Sequence, residues 1–137
     1  MKILKAYGGG FVALSVGLFI TQKVVFWLSQ AWEESLSLTT SIQRFTVSLY
    51  GLWLIGSALP FLLAGFVLGF LISGKVFYHG LCFGLIMATI ASFLMATVLW
   101  PEQTFISPLY IITLFFLVET FSCGLGALMG QRLKQKK

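Results

Sequence analysis

The stretch FTVSLYGLWLIGSALPFLLAGFVLGFLIS, residues 45 to 73, carries no charged side chain, and its reading decides the fold. An α-helix rises about 1.5 Å per residue, so roughly 20 apolar residues cross about 30 Å of hydrocarbon. This run is longer than that, which predicts a membrane-spanning helix that tilts, kinks or protrudes. Pro60, near its middle, supplies a cause for a kink.

Working outward from this run, charges and prolines mark three further spans. The first covers about 6–28 and is interrupted only by Gln22 and Lys23. The third covers about 76–100, and the fourth, about 108–131, contains Glu119. Local signals agree with these cuts. Thr40-Ser41-Ile42-Gln43 reads as a capping box, Gly74 and Pro101 as stops, and Ser107-Pro108 as an N-cap and N1 pair. Residues 29–44 then form an outer loop, in which Trp32 and Leu36 lie along the interface, and residues 132–137 form a basic tail. Short connections force neighbouring helices to run in opposite directions. The expected fold is a single all-α membrane domain over 1–137, a polytopic four-helix antiparallel bundle.

Composition excludes the alternatives. The chain is 58% hydrophobic and 9% charged, with a mean hydropathy of +0.97, which no ordinary soluble domain approaches. A net charge of +5 suggests nucleic acid until the basic residues are placed. Seven of the nine, namely Lys2, Lys5, Lys75, Arg132, Lys134, Lys136 and Lys137, fall at one side of a four-span topology, where they meet anionic headgroups. Membrane lipid is therefore the expected partner, and nucleic acid is not. Glu33, Glu34 and Glu102 fall on the other side, as do Trp27, Trp32, Trp53 and Trp100, while Tyr7 and Tyr78 mark the basic boundary. This predicts both termini in the cytoplasm, in a bacterial inner membrane or another plasma membrane.

Small residues recur at four-residue spacing in the basic half of each span: Ala13 with Gly17, Gly65 with Gly69, Gly80 with Gly84, and Ser122 with Gly126 and Gly130. Lipid offers no hydrophobic expulsion, so helices associate there by close packing, and such faces mark helix contacts. They serve packing within the chain, against other membrane subunits or against a second copy. Either way the bundle is expected to be tight near its basic end and looser at the other.

The polar residues inside the spans are few. Glu119, Pro60, Thr89, Ser15 and Gly17 fall in one layer near the middle of their spans. Pro60 cannot donate to the carbonyl of Gly56, which leaves that acceptor free. An ionisable residue in a membrane core is a candidate site, so Glu119 is read either as a proton- or cation-binding group or as a neutral carboxyl joining two helices by a hydrogen bond. Lys23 is a candidate partner for Glu119, although its long stem can equally carry the ammonium outward.

Catalytic signatures are absent. Asp and Asn do not occur, so no Ser/His/Asp set exists, and there is no phosphate loop or paired intramembrane carboxylate. His79 lacks a ligand partner at its depth and reads as an interfacial histidine. Cys82 and Cys123, at similar depths on spans three and four, form no C-x-x-C and no metal set. Neither metal nor cofactor is expected. The expected function is that of an accessory or structural subunit that packs its glycine faces on other membrane helices, without autonomous catalysis; the alternative is an oligomeric channel or proton- or cation-coupled small transporter centred on Glu119.

Overall fold

The structure, a computed structural model, describes the backbone of residues 2–36, 42–94 and 108–136 and the side chains of 2–31, 51–94 and 110–136. The described residues are almost entirely helical: α1 (Lys2–Leu36), α2 (Ile42–Leu71), α3 (Val76–Leu94) and α4 (Pro108–Gln135). Each has a segment long and apolar enough to cross a membrane. Large apolar side chains such as Phe19, Ile55, Phe93 and Phe121 are exposed on all four helices, which is a surface suited to lipid.

Several boundaries depart from the sequence reading. α1 begins at Lys2 rather than near residue 6 and continues to Leu36, so residues 29–36 are helix and not loop. No Gly or Pro interrupts the chain there, and Ala31, Glu33, Glu34 and Leu36 are compatible with helix. α2 starts at Ile42 and stops at Leu71, two residues short of the expected end. The basic tail is also largely helical, since α4 runs to Gln135 and places Arg132 and Lys134 in its last turn, where cations complement the helix dipole. The Thr40-Ser41 part of the capping box, the Pro101 stop, Ser107, and the side chains of Trp32, Glu33, Glu34, Trp100 and Glu102 lie outside the described residues.

The connection between α2 and α3 is made by backbone chemistry. Ile72 N–H donates to Leu68 O at 2.9 Å, and Gly74 (φ 84°) and Lys75 (φ 43°) are both left-handed, after which His79 N–H donates to Lys75 O at 3.2 Å. Left-handed backbone costs an L-residue about 1–2 kcal/mol, a penalty that glycine avoids. Gly74→Ala is expected to lower stability by about 1 kcal/mol, read as an earlier midpoint in denaturant unfolding of the detergent-solubilised protein. Lys75→Gly should move the midpoint the other way.

Packing follows the small residues. α2 and α4 make the most extensive contact, with α1 packed on α2 and α3 on α4. A Cβ added to Gly65 would strike the carbonyl oxygen of Cys123, and one on Gly69 that of Ala127. From the other side, Gly126 faces Leu62 O and Gly130 faces Phe66 O in the same way. Residue numbers rise together along this seam, so α2 and α4 run in the same direction where they touch. On the flank of α2 the order is opposed: Gly10 meets Ala64 and Leu68, Gly17 meets Pro60, and Gly56 meets Val25. Gly80 and Gly84 of α3 seat against Ala127, Cys123 and Thr120 of α4. The buried cluster at this level includes Leu14, Phe61, Ala64, Leu68, Phe83, Cys123 and Ala127.

Candidate functional site

Towards the Trp53 end the glycines give way to larger side chains, and the helices line a half-open cavity of about 270 Å³. All four contribute. Leu18, Thr21, Gln22 and Val25 come from α1, Trp53, Gly56 and Ser57 from α2, Ala91 and Leu94 from α3, and Phe115 and Glu119 from α4. The α1 set recurs at i, i+3, i+4 and i+7, so one helical stripe faces the cavity. Phe115 and Glu119 are likewise one turn apart on α4.

Glu119 is 5% exposed, and its Oε2 has no hydrogen-bond partner. The Ser57 hydroxyl lies beside this carboxyl. A buried, incompletely paired carboxylate in a low-dielectric interior is costly, so the geometry suits a group that is either protonated or compensated by a cation. Two wall hydroxyls also bond to carbonyls of their own helices. Thr21 Oγ1 donates to Gly17 O at 2.8 Å and Ser57 Oγ to Leu54 O at 3.0 Å. Gly56 keeps a carbonyl that Pro60, inside α2, cannot serve. Hydroxyl, carbonyl and carboxyl oxygens thus stand beside two donors, the Gln22 amide and the Trp53 indole N–H, among apolar side chains.

The residues singled out from sequence are distributed as follows. Glu119 and Gly56 both border the cavity, whereas Pro60 is fully buried one turn below, against Gly17. Thr89 is exposed, its hydroxyl turned back to Leu85 O at 2.7 Å, and Ser15 does the same with Phe11 O at 3.0 Å. The mid-depth layer therefore does not converge as a whole, because helix rotation sends two of its hydroxyls to the surface. Lys23 is exposed, with its ammonium 5.9 Å from the Phe19 ring centroid, and does not border the cavity. Cys82 and Cys123 do not face each other, since Cys82 is exposed and Cys123 is buried. His79 meets the Tyr7 hydroxyl, with 3.4 Å between Nδ1 and the oxygen, and is partly buried.

Ser57, Thr21, Trp53 and Phe115 were not singled out as site residues. The available signal was the Gly56-Ser57 pair one turn before Pro60, and Thr21 next to Gln22 in an otherwise apolar span. A second buried polar residue, Thr120 at 8% exposure, has a hydroxyl without a partner, and its backbone packs against Gly84 of α3. Because an unsatisfied buried hydroxyl costs about 1–3 kcal/mol, Thr120→Val is expected to stabilise the protein by an amount of that order, measured in the same unfolding assay.

No family model, curated protein or solved structure matches the chain. The class supported by fold and site is a multi-pass membrane protein with four candidate membrane-spanning helices around an acid-lined cavity.

Proposed function

We propose that this protein is a small proton- or cation-coupled transporter, without catalytic activity of its own, in which Glu119 is the exchangeable binding group. In this reading the four helices form an antiparallel bundle in a plasma membrane, with the lysine-rich end and both termini cytoplasmic. The observation that carries the reading is a carboxyl, 5% exposed and incompletely partnered, on the wall of a cavity bounded by all four helices. When empty, the site holds a proton on Glu119, since an uncompensated charge in the membrane core is costly. When a cation is bound, the proton leaves.

The accessory-subunit reading draws on the glycine faces, and Gly65, Gly69, Gly126 and Gly130 are engaged between α2 and α4 of the same chain. They are not free to seat a partner helix without first opening that contact. The test is proton flux into liposomes containing the purified protein and an internal pH dye, driven by an outward gradient of a cation, taken in turn as Na⁺, K⁺ and 2-phenylethylammonium. Wild-type protein should exceed empty liposomes, and Glu119→Gln should match them. Equal flux through wild type and Glu119→Gln would remove Glu119 from the mechanism and return attention to subunit partners.

A further inference from the structure

We infer that the cavity binds a protonated organic amine with a compact apolar or aromatic body, the ammonium held by Glu119 and the body by Trp53, Phe115, Leu18 and Val25. This rests on the transport reading and names its substrate class.

The argument is one of complementarity. The Thr21 and Ser57 hydroxyls bond to the carbonyls of Gly17 and Leu54 in their own helices, and each oxygen keeps lone pairs for a donor. Gly56 carries a carbonyl without its helical donor, and Glu119, on the same wall, a buried oxygen without a partner. A carboxyl flanked by hydroxyl and carbonyl oxygens suits a ligand that donates hydrogen bonds and carries one positive charge. Among the described residues bordering the cavity there is no Lys, Arg or His to compete for the carboxylate. Lys23, the nearest cation in sequence on α1, is held outside over Phe19.

Size decides against a bare inorganic ion. The cavity of about 270 Å³ equals roughly nine water volumes at about 30 Å³ each, which matches an amine with a single ring. A desolvated Na⁺ or Ca²⁺ would need a close shell of about six oxygens, whereas these walls are mainly apolar. Aromatic side chains beside the acid suit a cation's body and its charge together. Binding is an exchange: the protonated carboxyl plus the ammonium give an ion pair and one released proton, so no net charge enters the membrane.

The experiment uses the full chain in nanodiscs, with radiolabelled 2-phenylethylamine in equilibrium dialysis and empty nanodiscs as background. Saturable binding tighter than about 1 mM is expected, with at least about tenfold loss in Glu119→Gln and release of up to one proton per ligand. Excess n-propylbenzene, which lacks the charge, and phenethyltrimethylammonium, which lacks the donors, should not displace the amine. Ser57→Ala combined with Thr21→Val should weaken binding of the amine severalfold, because two oxygens of the wall are lost. No saturable binding, or displacement by sodium at equal concentration, overturns the amine assignment. If Glu119-dependent proton flux survives that result, only the substrate class has failed; if the flux is also absent, the transport reading fails with it.

Discussion

Gly65→Leu separates α2 from α4 and leaves a chain that no longer behaves as a folded monodisperse species. Even one added carbon at Gly65 would land on the Cys123 carbonyl oxygen, and the obstacle is backbone, which no rotamer change can move aside. The same holds at Gly69, Gly126 and Gly130, so the seam resists substitution from both sides. Overpacking a close core typically costs about 1–3 kcal/mol and more where backbone must shift, as it must here, which exceeds the gain of about 1 kcal/mol from better helix propensity. Gly65→Ala should therefore lower the unfolding midpoint by a large fraction of the total, and leucine should abolish the transition. Gly8→Ala and Gly51→Ala are the controls. A Cβ at either position meets nothing within 4 Å, and alanine there should be neutral or slightly stabilising. If Gly65→Ala unfolds like Gly8→Ala, the α2 and α4 backbones do not approach as described.

Glu119→Gln is expected to reduce driven proton flux to the empty-liposome rate while the fold survives. The amide has nearly the shape of the protonated acid, so a structural hydrogen bond would be largely kept. Interhelical hydrogen bonds in membranes average about 0.6 kcal/mol, which bounds the stability change to within about 1 kcal/mol. Loss of an exchangeable proton has no such small ceiling and removes the transport cycle altogether. The two roles of Glu119 thus separate by readout. A carboxyl that only joins helices would shift the unfolding midpoint slightly and leave flux intact, whereas an exchange group does the reverse. Infrared difference spectra after a pH jump give a second check, because a protonated-carboxyl band present in wild type should be missing from Glu119→Gln.

Much of the fold was legible from local chemistry. Long uncharged runs, with Gly74 and Ser107-Pro108 between them, mark four spans because membrane helices must satisfy their own backbone and must be long enough to cross. Their ends were harder to read. The 29–36 segment and the tail are polar, which sequence reads as loop, yet nothing in them breaks a helix and both continue α1 and α4. The candidate site was half legible. Glu119 stands out as a carboxyl in an apolar run, and Gly56 follows from Pro60, but depth along a helix says nothing about rotation around it. Thr89 and Ser15 share that depth and face outward.

Sequence by itself thus determined that this chain is a multi-span helical membrane protein, where its spans lie, and that a carboxyl is carried deep within the fourth. These follow from hydrocarbon thickness and the cost of burying charge, which act on each segment separately. Tertiary structure alone decided that the glycines of α2 and α4 are spent on each other, that the resulting tight seam opens into a cavity at the level of Glu119, and that Ser57 and Thr21 join it while Lys23 and Thr89 do not. Those outcomes depend on which face each helix turns to its neighbours, a property of the packed set and not of any one segment.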